Sequence, residues 1–223
     1  MEQLTIHALL SLQHTVAAGL FADKQYPWEV LSEIGAYILT LGPKLDSARF
    51  TEVKKNVWIA NSATVFESAS ITGPCIIDEE AEIRHCAFIR GNAIIGKGAV
   101  VGNSTEVKNS VLFDRVQVPH YNYIGDACLG YKSHMGAGSI TSNVKSDKTL
   151  VTVKCDSGSI PTGLKKFGAM LGDGVEVGCG SVLNPGTVIG KNSNIYPLSS
   201  VRGFVPANSI FKAADQIVGK EPR

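Results

Sequence analysis

A parallel β-helix is the fold this sequence predicts. Three observations predict it: large apolar residues every six positions, a column of small residues in step with them, and glycines set just after the apolar ones. Counting in sixes from Ile59 meets Val65, Ile71, Ile77, Ile83, Ile89, Ile95, Val101, Val107 and Phe113. A second run goes from Leu171 through Val177, Leu183, Ile189 and Ile195 to Val201. Four residues after the apolar positions come mostly small ones, among them Ala63, Ala69, Cys75, Ala81, Ala87, Ala93, Ala99, Ser181, Thr187, Ser193 and Ser199. Gly96, Gly102, Gly172, Gly178 and Gly190 directly follow apolar members. A period of six fits neither a helix nor simple strand alternation. It fits short strands that each aim one aliphatic side chain inward and then turn a corner. Three such faces close a coil of about 18 residues, and the arithmetic gives about seven coils. Stacked coils then lie roughly 4.8 Å apart, the ordinary inter-strand spacing.

The elements follow in order. Residues 1–48 read as a helical extension. Ile6, Leu9, Leu10, Val16, Ala17 and Leu20 suggest a first helix. The second is clearer: Pro27 suits a first turn, and Val30, Leu31, Ile34, Tyr37, Ile38 and Leu41 keep helical spacing before Gly42-Pro43 stops them. These helices are expected to pack on a neighbour or to cap the open end of the coil, which is a bare sheet edge. Residues 49–207 form the β-helix domain. Its clock breaks between Phe113 and Leu129, resumes at Leu129, Met135 and Thr141, and stops again over an inserted loop, 142–168. Within the loop, "TLVTVK" turning at "DSGS" reads as a small hairpin. Long loops on rigid scaffolds often carry function. The tail, 208–223, reads as a final helix.

Composition narrows the classes. The 223 residues carry a net charge of +1, so no global field draws the chain to nucleic acid or an anionic membrane. The five cysteines have no C-x-x-C pair, as expected of free thiols in a reducing compartment. Glu2 and the polar breaks at His7, Gln13 and His14 argue against a signal peptide or a membrane span. A cytoplasmic protein is expected.

A solenoid fills its interior with aliphatics, so chemistry must sit outside. Arg90 and Lys108 are 18 residues apart and should stack on adjacent coils. Two cations at that spacing repel unless an anion lies near them, and phosphate is a natural guest. As two solvated surface cations they would mean nothing. His120 lies just under one coil further on, inside the register break. Imidazole is the usual general base near neutral pH, although an isolated surface histidine is more often inert.

These residues resemble a family. "VGNSTEVKNS" (101–110), "PHYNYIGDACLG" (119–130) and "GAGSITSN" (136–143) resemble the acetyltransferase domain of the bifunctional N-acetylglucosamine-1-phosphate uridylyltransferase/glucosamine-1-phosphate N-acetyltransferases. "TGLKKFGAMLGD" (162–173) is similar to archaeal-type sugar-1-phosphate nucleotidyltransferases carrying such a domain. The likeness covers roughly residues 50–212, and no nucleotidyltransferase half is seen. It implies the left-handed form of the helix, a homotrimer with sites between subunits, and acetyl-CoA as co-substrate without a metal. His120 then matches the general base. Arg90, Lys108 and Tyr123 match residues that hold the sugar phosphate, with Lys148 a looser match. Asn143 matches a residue near the substrate amine and the acyl group. The backbone of Ala137 matches a contact near the acetyl-CoA carbonyl. Lys165, Lys166 and Ala169 are further candidates for coenzyme A. Three positions depart from the family pattern: Asn122 replaces a serine, Val144 a tyrosine and His134 an asparagine. His134 is kept as a substrate contact, and all three are expected to alter the pocket wall.

Two other classes stay open. Hexapeptide-repeat carbonic anhydrases bind zinc through histidines, and His85, His120 and His134 supply three, without a ligand motif. The chain could also be a non-catalytic oligomerisation or binding module serving a separate sugar nucleotidyltransferase.

Overall fold

The computed structural model describes residues 1–155, 158–214 and 216–221. From Val57 onward the chain winds into coils of three short parallel strands. On the first face Ile59, Ile77, Ile95, Leu112, Leu129, Leu171, Ile189 and Val205 stack in register. Val65, Ile83, Val101 and Val118 begin the second face, and Ile71, Ile89, Val107 and Ile124 the third. Most of these side chains are fully enclosed. Val65, by contrast, is exposed in the first coil, where no coil lies beneath it. The aliphatic columns are therefore the core, and the predicted β-helix stands.

The register break is one missing residue, taken twice. Val107 lies 18 residues after its partner Ile89, whereas Leu112 lies only 17 after Ile95. The next coil is short in the same way, with Ile124 beside Val107 and Leu129 beside Leu112. The residue is lost at the corner between the third and first faces. There Asn92, Asn109 and Asp126 succeed one another, all with left-handed φ of +47°, +47° and +51°. Asn and Asp tolerate that conformation best after glycine. Leu112, not the expected Phe113, therefore takes the inward place. Phe113 sits one step later, edge-on to Phe21 of the N-terminal segment at 5.6 Å. Close stacking explains the glycine at the next corner: a Cβ on Gly102 would stand 1.7 Å from the Pro119 carbonyl oxygen.

The inserted loop leaves and rejoins at that same shortened corner. Its neck is closed by the Phe167 N–H donating to the Asn143 carbonyl at 3.0 Å, and the Gly168 N–H bonds Asp126 O at 2.8 Å. Strands Thr152–Cys155 and Gly158–Pro161 form the expected hairpin, antiparallel. Part of its turn, 156–157, lies outside the described residues.

Both ends differ from expectation. The first helix is only Ile6–Leu9, followed by single 3₁₀ turns, and the second is a 3₁₀ turn, Pro27–Val30, before the α-helix Ile34–Leu41. This segment does not cap the coil end. It lies along the coils, with Leu9 O accepting from Asp173 N, His14 O from Asp114 N and Leu31 O from Asn109 Nδ2. Its helical spacing served to bury Trp28, Val30, Ile34 and Ile38 against that flank. The tail is a hairpin rather than a helix. Ser209–Ala213 adds in parallel to Asn194–Ile195, and Gln216–Gly219 folds back on it. An open sheet edge outweighed a weak helical pattern. Among the described residues, no helix is long and apolar enough to cross a membrane.

Candidate active site

The shortened corner gathers four of the predicted residues. Arg90 follows Ile89 on one coil, Lys108 follows Val107 on the next, and Tyr123 opens the third-face strand above, beside Glu106. Asn143 stands at the mouth of the loop. Its Nδ2 donates to the Tyr123 hydroxyl at 3.2 Å and to Asp126 Oδ2 at 2.5 Å. Lys108 Nζ lies 3.6 Å from the same carboxylate oxygen. Arg90 Nη1 meets Glu106 Oε1 at 2.6 Å. Each cation thus already faces a carboxylate, so mutual repulsion does not by itself demand an outside anion. Burial pushes the Tyr123 phenol above its ordinary value, and the Glu106 and Asp126 charges push the same way. The phenol therefore stays protonated at neutral pH. Because its oxygen accepts from Asn143, its own proton is left to point elsewhere.

His120 sits at the preceding corner, at the end of the strand Gln117–His120 and three residues before Tyr123. It is exposed, and among the described residues no side chain hydrogen-bonds its ring. Its backbone is firmly held: its N–H donates to Asn122 Oδ1 at 3.1 Å and its carbonyl accepts from Gly138 N. Asn122 is 3% exposed and donates to Gly136 O, at 2.8 Å, and to Ser139 O. It fills the small-residue column between Thr105 and Ser139. The expectation that Asn122 alters a pocket wall is therefore corrected: it braces the corner from inside. Ala137 lies directly above His120, exposed, and its N–H has no acceptor among the described residues.

The other predicted residues are not joined to this cluster within the chain. His134 begins its strand beside Gln117, at the far end of the second face, where Nδ1 lies 2.8 Å from Glu176 Oε2. Lys148 is exposed in a turn closed onto the Lys145 carbonyl. Lys165 and Lys166 are exposed just before Phe167, which packs on Trp28 at 5.8 Å. Ala169 is fully buried and pairs with Thr187, so its side chain offers no surface to a cofactor. Val144 does line a cleft of about 480 Å³ beside the loop mouth, with Ser142, Lys145, Lys154, Asn184 and Arg202. His85 hydrogen-bonds Ser68, apart from His134 and its glutamate. Among the described residues no three His, Cys, Asp or Glu side chains group as a metal site. Sequence reasoning missed Glu106 and Asp126. The signal was there: Asp126 is one short coil from Asn109, which donates to its Oδ1 at 2.9 Å.

Comparison with known proteins bears on the same stretch. A family model described as the GMPPB C-terminal domain matches residues 71–160. A protein of Methanococcus vannielii named bifunctional protein GlmU is 32% identical over 209 residues, covering 91% of this chain and 49% of its own length. By sequence, this chain is a relative of the bifunctional GlmU-type proteins. A bifunctional sugar-1-phosphate nucleotidylyltransferase/acetyltransferase of Sulfurisphaera tokodaii is also 32% identical, over 87% of this chain and 49% of that protein. The chain spans about half the length of the curated GlmU-type relatives it matches. Among solved structures, the acetyltransferase domain of PglB from Neisseria gonorrhoeae FA1090 in complex with acetyl coenzyme A aligns at 15% identity and a TM-score of 0.33. It covers 74% of this chain and 57% of that one.

Proposed function

We propose that this chain transfers an acetyl group from acetyl-CoA to the amine of an amino-sugar phosphate, with glucosamine 1-phosphate the first acceptor to try. The carrying observation is the joining of Arg90, Lys108, Tyr123 and Asn143 at one corner, one short strand from His120. The relation to bifunctional nucleotidylyltransferase/acetyltransferases supports the same chemistry. In this reading Arg90, Lys108 and the free Tyr123 proton grip the phosphate. The amine attacks the thioester carbonyl carbon while His120 takes its proton. The oxyanion that forms is met by the Ala137 N–H. The carbon–sulfur bond then breaks, and the coenzyme A thiolate leaves and takes up the proton held by His120. Lys148, His134, Lys165 and Lys166 would join only from a neighbouring subunit, in the homotrimer that the reading includes.

The test is acceptor-dependent thiol release from acetyl-CoA, with His120→Ala as the control. Exposed Cys86 and Cys179 make a protein-only blank necessary. The expected outcome is release in the wild type, lower by about a hundredfold or more in the variant, with an unchanged thermal melt because His120 is exposed. No release with a panel of amino-sugar phosphates would sink the reading and favour a binding module partnering a separate nucleotidyltransferase.

A further inference from the structure

We infer that Asp126 is a positioning residue that fixes which way the Asn143 amide faces and where Lys108 stands. The inference rests on the acetyltransferase reading and deepens it. Asp126 is 4% exposed, yet its side chain has three polar neighbours. Oδ1 accepts from Asn109 Nδ2 at 2.9 Å, Oδ2 accepts from Asn143 Nδ2 at 2.5 Å, and Lys108 Nζ approaches Oδ2 at 3.6 Å.

The chemistry follows from what a carboxylate can do. It accepts hydrogen bonds and donates none, so the Asn143 atom that touches it must be the nitrogen. An amide beside a neutral partner could flip; beside this carboxylate it is held in one orientation. The second Asn143 N–H is taken by the Tyr123 hydroxyl. Both donors are spent inside the chain, and Oδ1, an acceptor, is the part of the amide left for a ligand. An acceptor suits an amine nucleophile, which has N–H bonds to orient while its lone pair attacks. A donor there would compete for that lone pair. The same carboxylate oxygen draws Lys108 toward the corner, so one group sets both the amine end and the phosphate end of the site. Asn109, whose Nδ2 also bonds Leu31 O, locks the carboxylate from the other side.

Asp126→Asn tests this. Its shape is unchanged, and Asn suits the φ of +51° at this position as well as Asp does. It removes the charge and lets the Asn143 amide flip. The variant is expected to melt within a few degrees of the wild type by the usual size of such changes. Its kcat should fall about tenfold or more, the scale of a lost hydrogen bond to a charged group, and its KM for the sugar phosphate should rise while that for acetyl-CoA stays put. A merely structural role would lower the melt without that split. Asn109→Gly is the comparison: glycine suits the same left-handed backbone of φ +47°. The variant loosens the carboxylate from its far side while leaving the Asp126–Asn143 bond, so its kcat should fall by less than that of Asp126→Asn. An active wild type with unchanged constants in Asp126→Asn would overturn the positioning role alone. A wild type that turns over no acceptor would remove the acetyltransferase reading and this role together.

Discussion

The 18-residue coils and the two 17-residue coils make one solenoid and do different work. In the regular coils the steps of six carry aliphatic residues into the core, exposed Val65 of the first coil apart, and many corners turn on a left-handed residue such as Glu80, Asn92 or Asn192. In the short coils one corner has lost a residue. Asn109 and Asp126 occupy it with left-handed backbones, and a polar cluster grows outward from it. The regular part supplies rigidity through repetition. The irregular part breaks the repetition at the corner between the third and first faces, where the loop and the candidate site lie. The last coil, with Val205 only 16 residues after its partner Ile189, is shortened at the same corner.

Three experiments break or sharpen the contrast. The largest effect is expected from Ile89→Asp, in a regular coil. Ile89 is fully buried between Ile71 and Val107, so a carboxylate there would be unpaired in an apolar column. The variant should not fold, as read by circular dichroism; a native-like melt would refute the register. Next is insertion of one glycine between Lys108 and Asn109, which restores an 18-residue coil. The coils should persist with a lower melt, while acceptor-dependent turnover is lost because Lys108 moves off Asp126. Full turnover would divorce the short coil from the chemistry. The smallest effect concerns a regular corner. Burial pushes the Asp78 carboxyl above its ordinary value, with Asp114 and Glu79 adding to the shift. A carboxyl raised in the folded state holds its proton more tightly there than when unfolded. Its contribution is therefore favourable below the ordinary carboxyl value and is lost as pH rises through the raised one. Asp78→Asn should melt slightly higher than wild type at pH 7, the gap closing in acid. An equal gap at both pH values would mean that ionisation is not the cause.

The coil core was legible because its signal repeats: Ile77, Ile83 and Ile89 say the same thing on three faces. Arg90 and Lys108 were legible by the same arithmetic. What failed was whatever depended on the length of one coil. Phe113 was placed a step early because nothing local marks a missing residue. Asp126 went unnoticed because a lone carboxylate gains meaning only from Asn109, Lys108 and Asn143 around it. Asn122 was read as a pocket residue because its burial comes from Thr105 and Ser139, on neighbouring coils. The tail was read as a helix because "SIFKAADQIV" has apolar residues at helical intervals, and the strand that recruits it, Asn194–Ile195, leaves no mark in those ten letters.

A stack of coils on its own behaves as a row of nearest neighbours, able to fray from either end one rung at a time. The N-terminal segment runs across that row. Ser11 meets Lys191, Leu9 is tied to Asp173, the His14 ring stacks on Tyr131 and the His14 carbonyl is tied to Asp114, so one strap is fastened on four successive rungs. Peeling any rung along that flank means lifting the strap from the others. The strap thereby turns a zipper, which could open tooth by tooth, into a bundle that comes undone all at once.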